Sequence, residues 1–175
     1  AIRRGPLAAP DDATKIFSID TIGTSGSAPY FDSNHIVDMA LVKSAGASGD
    51  WYNYARPIGE KYLATNTTAA EASASEAGFD LMNGHIDSNW GGTNAHSWMW
   101  KRAPSFFDVV CYDGSNSNRT FNHNLGVAPE MIWIKRRNGT RRWRVFIPAL
   151  GGILKLNENG AMTTSDTKYY FGDDN

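Results

Sequence analysis

A long-period repeat constrains this chain more than any other feature. Displaced by 92 residues without gaps, the sequence sets Met39 on Met131, Lys43 on Lys135, Trp51 on Trp143, Gly59 on Gly151, Ala69 on Ala161, Ser73 on Ser165 and Phe79 on Phe171. Seven identities over 41 positions is a modest score, but the substitutions between them keep size and polarity, as in Asp38/Glu130, Val42/Ile134, Tyr54/Phe146 and Ile58/Leu150. A shift of 90 carries the match upstream, laying residues 17–22 on 107–112. Two copies of one supersecondary unit follow. The first runs over about 15–104 and the second over 105–175, behind an extended arm at 1–14 that has two prolines and no periodic apolar face. By this alignment the second copy stops before the counterpart of the first copy's last strand, 96–101. The expectation is an incomplete second unit with an open sheet edge, closed by a partner or by further polypeptide.

Local patterns predict short strands throughout. In the second copy, residues 106–112 are mostly β-branched or aromatic and end at Asp113-Gly114, and 119–122 form a weaker strand. Residues 131–135 (MIWIK) read as a buried strand and 143–148 as its hairpin partner, with Asn138-Gly139 between them to accept positive φ in a tight turn. Trp133 and Trp143 then sit on adjacent strands as core residues. The first copy offers 15–22, 35–43, 51–55, 60–65, 79–82 and 96–101 as strands, with a solvent-facing loop over 69–78. No amphipathic helical stretch exceeds about three turns. The fold class is all-β and antiparallel.

Charge narrows the function classes. Seventeen basic and eighteen acidic side chains give a net charge of −1, which supplies no global attraction to nucleic acid or an anionic membrane. Residues 1–104 carry 8 basic and 11 acidic groups, whereas 105–175 carry 9 and 7, so the excess of positive charge lies in the second copy. The single cysteine, Cys111, has no internal disulfide partner and reads as a buried structural thiol within its strand. No apolar run reaches membrane-spanning length, and the sequence predicts a soluble protein independent of oxidation.

Two groups of residues stand out as candidate binding sites. Lys135, Arg136, Arg137, Arg141, Arg142 and Arg144 place six cations within ten residues at one hairpin tip, where the first copy has the bland SAGASGD. Guanidinium forks there suit carboxylates of a neighbouring protein or anionic groups of a glycan. Trp90 beside Gly91-Gly92, with Asp87, Asn89 and Asn94 close by, has the composition of a sugar site. An aromatic face stacks on a pyranose there while amides read its hydroxyls. Asp113 to Asn118 resembles a calcium loop but lacks the downstream bidentate glutamate. His35, His85, His96 and His123 have no paired metal spacing, and no GxSxG elbow or pair of carboxylates singles itself out for hydrolysis. The sequence therefore predicts no catalytic residue, no metal and no cofactor.

One resemblance bears on function. The series Phe107-x-Val109-x-x-Tyr112-x-Gly114, then Leu125-Gly126-x-x-Pro129-x-x-Ile132-x-Ile134-Lys135-x-Arg137, then Trp143, with Gly151-Gly152 before a strand, is similar to a domain family of uncharacterised function. That family occurs, often in tandem, in tail-fibre and other virion proteins of tailed bacteriophages. The first copy departs from the pattern by lacking the Leu-Gly-x-x-Pro turn. The resemblance implies β-sandwich modules of the jelly-roll or lectin-like kind, a place in the virion, and no catalytic activity. On this reading the chain is a structural part of a tail fibre or related appendage, homo-oligomeric, with a trimer as the arrangement that phage fibres suggest, and with other virion proteins as partners. A glycan-binding adhesin module and a capsid decoration protein are the alternatives.

Overall fold

The computed structural model describes residues 9–21, 27–86, 94–115, 117 and 119–164. Eleven strands and three single 3-10 turns make up its regular structure: β1 (Phe17–Thr21), β2 (Phe31–Asp32), β3 (Met39–Ser44), β4 (Tyr52–Ala55), β5 (Lys61–Ala64), β6 (Ala72–Ser73), β7 (Gly84–His85), β8 (Ala95–Trp100), β9 (Ile132–Ile134), β10 (Arg144–Ile147) and β11 (Gly152–Lys155). Six of them form one antiparallel sheet in the order β1-β8-β3-β4-β5-β6. A three-stranded antiparallel sheet, β11-β10-β9, and the two-stranded ribbon β2-β7 complete the fold. The protein is all-β, as composition and alternation predict.

The core lies under one face of the large sheet. Ala40, Val42, Tyr54 and Met99 point into it from β3, β4 and β8, and Phe31, Val37, Phe79 and Ile86 close it from below. Alternation explains the division: along β8, Ala95, Ser97 and Met99 are buried while His96, Trp98 and Trp100 are partly exposed. His85 is wholly buried here, stacked between Phe31 and Phe79, with ring centroids 5.4 and 5.7 Å away. Gly84 brings it in, since a Cβ at that position would meet the Phe31 carbonyl oxygen at 2.1 Å.

The 92-residue repeat is visible in backbone geometry. Ala40 faces Tyr54, Leu41 faces Asn53 and Val42 faces Tyr52 in the first hairpin; Ile132 faces Phe146, Trp133 faces Val145 and Ile134 faces Arg144 in the second. Both hairpins run into a 3-10 turn, Arg56–Ile58 and Pro148–Leu150, capped by a glycine with positive φ. The caps then differ. Gly59 leaves at ψ −141° and Gly151 at ψ 26°, and the third strand starts one residue earlier in the second copy. With that offset even a side-chain hydrogen bond recurs: Asn66 Oδ1 accepts from the Trp51 amide at 3.0 Å, and Asn157 Oδ1 from the Trp143 amide at 2.9 Å.

Several expected elements differ. Residues 106–112 and 119–122 form no strand; only an isolated bridge joins Ala103 and Phe107, and the chain holds itself instead by the rings of Tyr112 and Phe121, 3.9 Å apart. Without a strand to bury it, Cys111 is exposed. Trp133 is 40% exposed because no second layer among the described residues covers its face, whereas Trp143 is 4% exposed as expected. The strand expected over 79–82 is replaced by β7, and β6 falls inside the stretch read as a loop. The Asn138-Gly139 hairpin is wide rather than tight, with nine residues between Ile134 and Arg144, because its tip bonds to another part of the chain.

Candidate functional site

The basic tip is docked against the link between β5 and β6. The Glu71 amide donates to the Arg137 carbonyl at 2.8 Å and the Arg141 amide to the Thr68 carbonyl at 2.9 Å. These two backbone bonds replace the cross-turn bonds that a tight hairpin would make. Arg137 Nε reaches Glu71 Oε2 at 2.7 Å, while Lys61 approaches the other carboxylate oxygen at 3.8 Å. The hydrogen bond that Arg137 donates to Glu71, together with the Glu71 charge, holds the guanidinium above its ordinary pKa against the opposing effect of burial. Trp143 completes the contact: its indole N–H donates to the Ala64 carbonyl at 2.8 Å, buried between the two copies.

The six cations therefore do not form one uniform patch. Lys135 donates to the carbonyls of Arg136 (2.7 Å) and Thr68 (3.4 Å), and burial, then the Arg136 charge, lowers its pKa. Arg137 holds Glu71, and Arg142 pairs with Glu158, which Lys155 also approaches at 3.6 Å. Arg144 lies half-buried on β10 between Ile134 and Lys155. Arg136 bonds to Asn138 Oδ1 at 2.9 Å and Arg141 to its neighbour's carbonyl at 3.3 Å; both side chains stay at the surface of the tip. Glu71 and Thr68 are the partners that sequence reading missed. They lie in a polar segment with no periodicity, and only the hairpin's position reveals their role.

A second junction element sits at the end of β8. Asp38 is 1% exposed; its carboxylate accepts from Arg56 Nε at 3.1 Å and from the Arg102 amide at 2.8 Å. Arg102 turns its side chain to Asp108, which also takes the amides of Val109 (2.9 Å) and Asn124 (2.7 Å). Burial works to raise the Asp108 carboxyl, but these donors outweigh it and hold the pKa below the usual range. A cleft of about 190 Å³ beside Arg56, Glu60, Phe79 and Asp80 is polar, and Arg56 in it already serves Asp38 and the Val37 carbonyl.

Of the residues read as a sugar site, Trp90, Asp87 and Asn89 lie outside the described residues. Asn94 is exposed at the start of β8 with φ 67°, its carbonyl accepting from the Ala45 amide at 2.6 Å. The structure instead assembles a row of rings across the outer face of the large sheet. Trp51 stacks on Trp98 with centroids 5.4 Å apart and planes at 29°; Trp100 packs on Phe17 at 5.2 Å and on Phe107 at 6.2 Å. The alternation of His96, Trp98 and Trp100 is legible in the sequence. That β8 inserts between β1 and β3, and so lines these rings up, is not.

Among the described residues no group of three His, Cys, Asp or Glu side chains is placed to hold a metal ion, and no helix is long and apolar enough to cross a membrane. The arrangement offers cations, aromatic faces and an open strand edge, which are the means of binding. A domain family matches residues 38–174, from the buried Asp38 through both hairpins. The chain belongs to DUF7483, a family of domains of unknown function. The DUF7483 match spans Pro104 and Ser105, where the sequence reading divides the chain. No curated protein and no solved structure matches the chain.

Proposed function

We propose that this DUF7483 chain is a non-catalytic structural module of a tailed-bacteriophage particle, part of a tail fibre or related appendage, built as two tandem β-sandwich units of which the second is completed by a partner. The observation that carries this reading is the distribution of exposed apolar side chains. Among the described residues, ten of the thirteen large exposed hydrophobics lie between Phe106 and Met162, including Met131, Trp133, Leu150 and Leu156. Isolated surface hydrophobics need no explanation, but such a concentration in the second part of the chain, on the small sheet's flanks and the segment before it, marks a surface for association. The similarity of the series from Phe107 to Trp143 to virion domains supports the setting. Its partners would be other virion proteins, including copies of itself, and repetition in the assembly turns weak contacts into strong ones.

Mass analysis of purified particles from the phage that encodes the chain tests the reading. Peptides of this chain at a few to a few tens of copies per particle support an appendage, hundreds support a capsid decoration, and absence from the particle overturns it. One observation favours a second reading, a glycan-binding module. The Trp51–Trp98 stack, with Asn66 and Asp50 hydrogen-bonded beside it at 2.9 Å, presents an aromatic face flanked by polar groups. Glycan-array binding that is lost in Trp98→Ala would establish it.

A further inference from the structure

The two hairpins share one register and differ in what lies beside them. In the first, the outer edge of β3 is taken by β8, antiparallel, with Met39 opposite Trp100, Ala40 opposite Met99, Leu41 opposite Trp98 and Val42 opposite Ser97. In the second, β9 pairs with β10 alone, and its outer edge has no strand among the described residues. Met131 and Trp133, the counterparts of Met39 and Leu41, stand 54% and 40% exposed along that edge.

Apart from its length of three residues, the edge lacks, among the described residues, the devices that keep other edges solitary. A protected edge carries an inward charge, a proline or a covering loop. On β1, an edge strand of the large sheet, Asp20 turns back to accept the Asp32 amide at 2.8 Å, and Ser18 meets His35 at 3.3 Å. β9 is Ile132-Trp133-Ile134, with no charge, proline or bulge.

Charge adds an independent indication of what belongs there. Asp38 stands just before β3, where it accepts the Arg102 amide and so fastens the end of β8. Its counterpart, Glu130, is exposed and makes no ion pair among the described residues. The position matching Arg56, which neutralises Asp38, is Pro148, so the second copy supplies no cation of its own at that place.

We infer that β9 is the acceptor edge for an added strand of the β8 type, small or polar residues alternating with aromatics and followed by a basic residue. It enters antiparallel, places an aromatic residue opposite Trp133, and sets its basic end on Glu130. Main-chain bonds hold such a strand, and the alternating side chains select it. The inference deepens the structural reading above by naming the partner's chemistry.

The probe is a fluorophore-labelled peptide of this chain's own β8 segment, residues 94–102, titrated into the full chain and followed by anisotropy, with a scrambled peptide as control. Saturable binding of the native-order peptide is expected, with slower amide hydrogen exchange at residues 131–135. Trp133→Lys should weaken it about tenfold or more by putting a charge on the edge. Glu130→Lys, at an exposed position that leaves folding untouched, should weaken it several-fold, and a peptide with its basic end changed to glutamate should restore it. Equal binding of the scrambled peptide, protection at β1 and β3 instead of β9, or no binding by a folded chain would overturn the inference. Concentration-dependent dimers that protect β9 without peptide would also overturn it, in favour of edge-to-edge pairing of two copies. None of these outcomes bears on whether the chain is present in a particle, so the broader reading stands or falls separately.

Discussion

Residues 39–64 and 131–155 trace the same path, strand, loop, strand, 3-10 turn, strand, yet one forms the middle of a six-stranded sheet and the other a sheet of three. The side chains that face the core from the first hairpin, Ala40, Val42 and Tyr54, are at most 1% exposed. Their counterparts Ile132, Ile134 and Phe146 are larger or equally apolar and only half-buried. The difference lies in the surroundings, because β8 and the ribbon β2-β7 with its flanking residues serve the first hairpin alone. A repeated sequence thus specifies a repeated path but not a repeated degree of burial.

The matched tryptophans break this comparison most sharply. Trp143→Ala removes a buried indole and its bond to Ala64 and should cost about 3–5 kcal/mol in urea unfolding. Trp51→Ala, at the same repeat position but 36% exposed, should cost about 1 kcal/mol or less. Equal costs would mean that Trp143 does not join the copies. The matched acids come next. Asp38→Ala leaves Arg56 and the Arg102 amide without their acceptor and should cost about 3 kcal/mol by the same measurement. Glu130→Ala should change stability by less than about 0.5 kcal/mol.

A third difference is titratable. Burial pushes the His85 pKa down to about 3, and its Nδ1 has no hydrogen-bond partner among the described residues, while Nε2 meets Ser97 Oγ at 2.9 Å. The unfolded chain takes up a proton near pH 6.5 that the folded chain refuses, so this contribution to stability is intact above that pH and is lost as pH falls towards 3. The slope is about 1.4 kcal/mol per pH unit. His85→Phe should flatten it, and an unchanged pH profile in that variant would place the dependence elsewhere. Smallest is the ion pair across the copies. A double-mutant cycle on Arg137 and Glu71 should give a coupling of about 1 kcal/mol or less, since the Arg137 side chain is 37% exposed.

Much of the large sheet was legible from the chain alone. Strands β4, β5 and β8 fall close to where the sequence puts them, and the repeat matched the second hairpin to the first in advance, though not its wide turn. Residues 106–112 misled because β-branched and aromatic content signals a strand only where a neighbouring strand accepts its hydrogen bonds. The ungapped shift of 92 also hid the best match, Asn66 with Asn157, because one residue is lost where Gly151 turns differently from Gly59. The cations at the tip were visible as a cluster. Their division between Glu71, Glu158 and solvent was not, because Glu71 lies 66 residues from Arg137 and no local pattern links them.

The position of β8 has a consequence for how the chain comes together. It lies between β1 and β3 but follows both, and its partners on β1 are 75 to 83 residues behind it. As the polypeptide grows, β1 and the β3–β4–β5 unit are complete while the gap between them stays empty. Closure of the sheet waits for Trp100 and then joins strands far apart in sequence, which makes a slow step of what hairpins alone would finish in microseconds. Until then the nascent chain carries an apolar slot shaped for an aromatic strand.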